Sequence, residues 1–427
     1  MNGQHMNKRR RVTRILKTTI FDPVHREYEL GPEIIDIINT PKFQRLRRLR
    51  QLATAHWVWL GATHTRFEHS ISVAYLAGHM AKNLQKKQPE LNITERQILL
   101  VQLAGLLHDV GHGPFSHLFD DVFLSENNSP MAHHEHRSVS IVASLLTQAN
   151  FEYSPEEIVF VQSLIAPGTG QQGFFWEIVA NQVNHLDVDK MEYIKRDARA
   201  CGLSQGGFDT DTMRIINAAR VIDGHICYHH KVYEDIYNLF QTRYRLHTTV
   251  YRHPAVVAIH HMVSDALRVS GLPLEKSIKD LDTFCMYDDT VLDTLRFDCK
   301  HKESQKIIQR IDRRQLYKVV ETHKRAKPWE KNPTVEDLVA LEPELPGNAL
   351  IVDCSCVGFI GKEDGHPMDQ LRFYDSHNPN KSFVIKRRSV STLLTARYCE
   401  YWTRIIVRDA EHILLASKAW NSWKASI

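Results

Sequence analysis

Long hydrophobic runs are missing from this 427-residue chain. The longest nearly apolar stretch, Ile98 to Leu107, falls well short of the roughly 20 residues a bilayer crossing needs, so no transmembrane helix is expected. The start, Met1 to Thr13, is polar and basic and lacks the apolar segment of a secretory signal. The chain is therefore expected to be intracellular, in nucleus or cytoplasm. Cysteine is scarce: seven residues, irregularly spaced and without a CxxC pair, argue against both a disulfide framework and a zinc ribbon. A charge bias is lacking too. With 54 basic and 50 acidic residues the net charge is +4, too balanced to make nucleic acid the obvious partner. No internal repeat or low-complexity block is present.

What the chain has in excess is histidine. It carries 25, and ten of them (His56, His64, His69, His79, His108, His112, His117, His133, His134 and His136) fall between positions 56 and 136. Neutral imidazole is the commonest metal ligand and a near-neutral acid or base, so this clustering is the first functional lead.

Apolar residues recur with a spacing nearer 3.6 than 2 over 66–86, 94–109, 135–149, 155–165, 174–181, 187–199, 211–220, 231–250 and 254–268, so the first two thirds read as all-helical. Short strand-like runs follow at 349–353, 371–374, 382–385 and 401–407, separated by Gly, Pro, Asn and Asp, and a helical stretch closes the chain at 409–424. The expected fold is mainly α: a basic tail over 1–16, a helical domain over 17–330 and a small C-terminal α+β lobe over 331–427, with Lys327 to Pro333 as linker. The tail, with Lys8, Arg9, Arg10 and Arg11, suits either a nuclear import signal or a solvated terminus.

The sharpest local signal is Leu106-Leu107-His108-Asp109-Val110-Gly111-His112-Gly113-Pro114-Phe115-Ser116-His117. An apolar helix ends in an adjacent His-Asp pair and breaks at Gly-His-Gly-Pro. A buried Asp beside His is costly unless it is paired or bound to a cation. The doublet offers one nitrogen and one oxygen to a metal, and His69 on the preceding helix and Asp189 on a later one are the candidates to complete the set. Such a mixed site suits Fe, Mn, Zn or Mg, and phosphoester hydrolysis is its natural chemistry.

The order H…HD…D resembles the HD-domain metal phosphohydrolases. Longer stretches make the likeness more specific: Asp22-Pro23-Val24-His25, Thr40-Pro41-Lys42-Phe43-Gln44-Arg45-Leu46-Arg47, Gly61 to Ser70, Lys87 to Leu91, His108 to Phe119, Asp187 to Asp197, and Phe373-Tyr374 with Pro379-Asn380. Together these resemble the sterile alpha motif and HD domain deoxynucleoside triphosphate triphosphohydrolases over roughly Thr19 to Cys399. Only the basic tail precedes the match, so no sterile alpha motif domain is expected. The resemblance implies an HD-domain helical bundle that binds one divalent transition metal (Fe, Mn or Zn) through His69, His108, Asp109 and Asp189, with Mg accompanying the nucleotide. It implies catalytic roles for His112 and His134 around the α-phosphate, Glu135 orienting His134, and His117 on the phosphates. Arg66, Lys190 and Arg243 would hold the triphosphate, Tyr193 and Asp197 the sugar 3′ hydroxyl, and Gln51, Leu52 and Tyr251 would leave no room for a 2′ hydroxyl.

The family's activators, GTP and deoxynucleotides bound between subunits of a dimer or tetramer, would contact Gln44, Arg47, Arg214, Lys231, Lys381 and Arg387. Here the match weakens. Asn39 stands where a guanine-reading aspartate is expected, Thr18 and Glu400 where lysines are, His229 at a basic position, and Pro254 in place of a lysine. Altered, weakened or absent activation is the expectation. His56, His79, His133, His136, His229, His230, His260 and His261 have no motif support and are expected in core or surface roles. Two other readings stay open: a nucleic-acid or protein-binding module that keeps the fold and holds RNA on its basic surfaces, and an HD phosphohydrolase acting on another nucleotide.

Overall fold

The computed structural model describes residues 17–204, 210–359, 366–386 and 397–426; Arg387 and the basic tail over 1–16 lie outside the described residues. Its helical body is built round two long antiparallel neighbours, Arg66–Lys87 and Glu95–Leu107. Both begin at a threonine whose hydroxyl and backbone are satisfied reciprocally by the residue three further on, Glu68 for Thr65 and Gln97 for Thr94. Their contact is lined with small residues. Gly105 lies on the backbone of Val73 and Ala74, where a Cβ would come to 3.1–3.2 Å, and Ala74, Ala77 and Ala81 are fully buried. Close approach of the axes brings the end of the second helix, His108, alongside the second turn of the first, His69.

Further helices cover this pair: His134–Gln148, Pro155–Ile165, Val188–Ala200, Tyr233–Leu246 and Pro254–Arg268. They match the periodic stretches in the sequence, with trimmed ends. The expected helix at 174–181 is a single tight turn, Phe174–Glu177, and the stretch 231–250 becomes the Tyr233–Leu246 helix followed by a wider turn, His247–Tyr251.

The body is not all-helical. An antiparallel hairpin joins β1 (Thr18–Asp22) to β2 (Arg26–Leu30), and Asp22 Oδ1 accepts from the amides of Val24 (2.8 Å) and His25 (2.7 Å) to shape the turn. A second hairpin joins β3 (Ala219–Ile222) to β4 (His225–His229) through Asp223 and Gly224, both at positive φ (53° and 80°), the turn that matches strand twist.

A small C-terminal lobe of strands and helices is present, but not every residue after 331 belongs to it. β5 (Lys318–Arg325), β6 (Leu350–Gly358) and β9 (Cys399–Val407) make an antiparallel sheet in the order β5-β9-β6, so its first strand precedes the expected boundary. This sheet and the helices Val335–Leu341 and Ile413–Ala425 enclose a core of their own, including Leu338, Leu350, Ile405, Val407, Trp420 and Trp423. Trp329, in the expected linker, packs against Trp423 with ring centres 5.2 Å apart, so this segment is fastened down. β7 (Phe373–Asp375) and β8 (Asn378–Phe383) instead extend the β3-β4 hairpin, β7 running parallel to β4. Cys356 and Cys399 form a disulfide between β6 and β9, a pairing the irregular cysteine spacing did not suggest. Among the described residues no helix is long and apolar enough to cross a membrane.

Candidate metal-centred active site

Three helix ends converge on one point. His108 and Asp109 terminate the Glu95–Leu107 helix, His69 lies in the first turns of Arg66–Lys87, and Asp189 opens Val188–Ala200, whose N-terminus is capped by Asp187 accepting from Lys190 N at 2.9 Å. His69 Nε2 and His108 Nε2 face each other at 3.3 Å. Asp189 Oδ1 lies 3.2 Å from the first and 3.4 Å from the second, and the Asp109 carboxylate 3.5 Å from each.

The outer nitrogens decide what the inner ones are. His69 Nδ1 pairs with Glu192, and His108 Nδ1 lies 2.8 Å from the Gly105 carbonyl, which can only accept. Both Nδ1 atoms therefore carry a proton, so it is the Nε2 atoms, between two carboxylates, that can offer lone pairs to a cation. Two imidazole nitrogens 3.3 Å apart between two carboxylates need a cation there, a proton or a metal ion. The donor set thus fits a divalent metal, and His69, His108 and Asp189 are close enough to share one. Burial favours neutral His69, yet Glu192, Asp189 and Asp109 override it and push the imidazole up to about 10, a measure of how much positive charge this pocket calls for.

Behind His69 runs a buried chain of charges that the motif reading missed. Glu192 Oε1 takes Arg196 Nε at 2.6 Å, Arg196 Nη2 reaches Asp22 Oδ2 at 2.8 Å, and His25 Nε2 stands 3.6 Å from Glu192. The β1-β2 hairpin therefore braces His69, a candidate metal ligand. The signal available in sequence was the spacing: Asp189, Glu192 and Arg196 share one helical face.

Beside these candidate ligands lie three imidazoles. His112 stacks on His134 with ring centres 3.7 Å apart and 19° between planes, and His117 meets each edge-on at 5.0 and 5.3 Å. His112 is fully buried, and neither of its nitrogens makes a hydrogen bond although Nε2 lies 3.3 Å from Asp109 Oδ1. Burial, then Arg66 and His134, hold it well below the usual range, so it is neutral. His134 behaves oppositely. Against burial, Asp120 and Glu135 raise it, and its Nδ1 donates to Asp120 Oδ2 at 2.9 Å. Asp120 also accepts from the His134 amide at 2.9 Å and is paired with fully buried Arg137, while Glu135, half-exposed, stays 3.5 Å from Nδ1. The hydrogen-bond partner of His134 Nδ1 is thus Asp120, with Glu135 farther off. His117 is 62% exposed at its side chain, at the open edge.

Of the residues expected to hold substrate, Arg66 is buried, pairs with Asp109 and donates from Nε to Ser116 Oγ at 2.7 Å. Lys190 contacts Asp187 at 2.8 Å. Asp197 accepts from Tyr251 OH at 2.5 Å and sits 2.7 Å from His64 Nε2, a partner the sequence reading had not singled out. Arg243 Nε donates to Tyr193 OH at 3.2 Å and its Nη1 to the Gly358 carbonyl at 2.6 Å. Gln51 Oε1 is buried with no partner, and Leu52 packs on the core. Gln44, Arg47, Arg214, Lys231 and Lys381 lie elsewhere. Arg47 donates to Gln44 at 2.8 Å, and Arg214 is paired with Asp235 at 2.9 Å. Lys381 is on the exposed face of β8, and Lys231 is exposed beside His230. Of the discounted histidines, His56 lies 3.1 Å from the Ala53 carbonyl and His79 3.3 Å from Asn217 Oδ1.

The chain matches the HD domain over residues 66–205 and the HD associated region over 210–346. It is 35% identical over 404 residues to the deoxynucleoside triphosphate triphosphohydrolase SAMHD1 homolog of Dictyostelium discoideum, covering 92% of this chain and 77% of that protein. To the deoxynucleoside triphosphate triphosphohydrolase SAMHD1 of Homo sapiens it is 33% identical over 466 residues, covering 95% and 73%. An HD domain-containing protein of Acanthamoeba polyphaga mimivirus, L394, is 29% identical over 457 residues and matched over 97% of both chains. At that identity and coverage, the chain belongs to the SAMHD1-type family of HD-domain deoxynucleoside triphosphate triphosphohydrolases.

Proposed function

We propose that this chain hydrolyses deoxynucleoside triphosphates to a deoxynucleoside and intact tripolyphosphate, lowering the supply of deoxynucleotides. The observation that carries the reading is the pair of imidazole Nε2 atoms 3.3 Å apart between two carboxylates, with His112, His134 and Arg66 crowded on one side. His69, His108, Asp109 and Asp189 would hold one transition metal, Fe, Mn or Zn, which lowers the pKa of bound water and polarises a phosphoryl oxygen. Arg66, Lys190, Arg243 and His117 bind the polyphosphate, Arg by forked contacts and Lys as a point charge. His134, held protonated by Asp120, serves as the general acid toward the 5′ oxygen, and neutral His112 donates its N–H to a phosphate oxygen without adding charge. Tyr193 and Asp197 take the 3′ hydroxyl, while Leu52 and Tyr251 close the space beside it against ribonucleotides. The test is His108→Ala with Asp109→Ala: purified protein should lose its metal and all tripolyphosphate release, and turnover retained in the double variant would refute the reading.

Nucleotide activation is weakened in the same proposal. Glu400 puts a carboxylate where a phosphate-binding lysine is expected and is itself held by Trp402 Nε1 at 2.9 Å, while Asp235 already occupies Arg214. Asn39, an amide, cannot receive two guanine N–H donors as a carboxylate does. Turnover of each dNTP and NTP, with Mn or Mg and with or without GTP, should show deoxynucleotide preference and little GTP dependence; a large GTP stimulation or dominant NTP hydrolysis overturns this part. Sedimentation under the same conditions reads whether the chain is a dimer or a tetramer.

A further inference from the structure

The turn Tyr287-Asp288-Asp289-Thr290 is remote in sequence from every motif residue, yet it touches both sides of the substrate site. Asp289 Oδ1 accepts from the Phe115 amide at 2.6 Å, and Oδ2 accepts from the Arg50 amide at 2.9 Å. Its own amide donates to the Arg48 carbonyl at 3.1 Å. Phe115 and Ser116 are consecutive non-glycine residues in the left-handed region, φ 61° and 56°, a conformation that persists only when its surroundings hold it. The next residue is His117. On the other arm, Arg50 is followed by Gln51 and Leu52.

A second link closes the loop. Ser116 Oγ donates to the Arg50 carbonyl at 2.7 Å and accepts from Arg66 Nε at 2.7 Å. Arg50 is therefore gripped at its N–H by Asp289 and at its carbonyl by Ser116. From the same turn, the Tyr287 carbonyl accepts from Arg45 Nε at 2.8 Å while Arg45 Nη2 donates to the His112 carbonyl at 2.7 Å. Asp288 is occupied differently, by Arg48 Nε and by Thr290. This leaves the Asp289 carboxylate with backbone amides as its partners, and burial pushes its acid up to about 7.

We propose that Asp289 is a positioning residue: by holding the amides of Phe115 and Arg50 with one carboxylate, it fixes the phosphate-binding arm (Arg66, Ser116, His117) against the sugar-binding arm (Gln51, Leu52). The role rests on the reading of the site as a deoxynucleoside triphosphate hydrolase. Asparagine is nearly isosteric but has one acceptor oxygen and one NH2 donor, so it can satisfy one of the two amides and opposes the other.

The test compares full-length, Mn-loaded wild type and Asp289→Asn in metal content, thermal midpoint, dNTP turnover, and equilibrium binding of inorganic tripolyphosphate and of thymidine. Asp289→Asn should keep its metal and lose at least about 10-fold in kcat/KM, with binding of both probes weakened, because one residue serves both arms. Should that variant not fold, Ser116→Ala cuts the Arg66–Ser116–Arg50 link without touching the acid, and should likewise raise KM several-fold with metal retained. Folded, metal-replete Asp289→Asn with both affinities and kcat/KM within twofold of wild type overturns the inference, as does an unaffected Ser116→Ala when Asp289→Asn cannot be read. Failure of the wild type to hydrolyse any dNTP is a different result: it removes the functional reading, while the two binding measurements still decide the role of Asp289.

Discussion

Glu192 shows how much of a candidate metal site resides in residues outside the ligand set itself. It fixes the proton on His69 Nδ1 and is itself tied to Arg196 and, through that guanidinium, to Asp22. Glu192→Ala should weaken metal affinity about 10- to 100-fold, read by metal titration of the apoprotein. Asp120 yields a prediction in pH. Buried but bound by His134 and Arg137, it is held down to about 2, below its unfolded value of about 3.9. A depressed carboxyl contributes stability above the unfolded pKa and loses it as pH falls toward the folded one. The contribution is roughly 2 kcal/mol at neutral pH. Asp120→Asn should therefore melt well below wild type at pH 7, and the gap should narrow between pH 4 and 2. His108 and Asp109 stood out as candidate metal ligands in the sequence because an adjacent His-Asp pair at a helix break is rare and costly, and His69 and Asp189 followed as candidates to complete the set. Glu192, Asp120 and Asp289 were not: each is a single acid whose partner lies elsewhere in the chain, and charge alone does not say which acids are buried.

Elements bring these residues together through close backbone approaches. At Gly111 an added Cβ would lie 2.3 Å from Ser138 N and 2.4 Å from the His134 carbonyl, so the His108–His117 loop is pressed directly onto the first turns of the His134–Gln148 helix. Gly111→Ala must push these elements apart. It should cost at least about 1–3 kcal/mol, as overpacking does, and reduce turnover well beyond what the lost stability explains. Parallel melts and rates at a temperature where the variant stays folded check this. The helices were readable because each carries a 3.6-residue apolar period and several open at a Thr or Ser cap. The hairpins were not. β1 and β2 are five residues each, and Arg26-Glu27-Tyr28-Glu29-Leu30 buries only Tyr28 and Leu30; β3 follows the Thr212–Asn217 helix after one residue, so its apolar pattern blends into the helical one.

The whole molecule is more interwoven than its linear order suggests. β7 and β8 complete a sheet begun by β3 and β4, and Arg243 rests on the Gly358 carbonyl, so the site's surroundings include residues beyond the HD associated region. A chain ending after Arg313 should lose the ordered helical body: gel filtration should show aggregates, and no cooperative melt should remain. Nothing local predicts the parallel β4-β7 pairing, because partners separated by some 140 residues leave no periodic trace in either strand.

The order β5-β9-β6 has a consequence for how the molecule is made. The strand in the middle is the last to leave the ribosome, so until it arrives both neighbours present unpaired edges to everything nearby. Translation stalled just before Cys399 would release a nascent product with two sticky flanks and no filling between them, the species against which a cell would need its chaperones most.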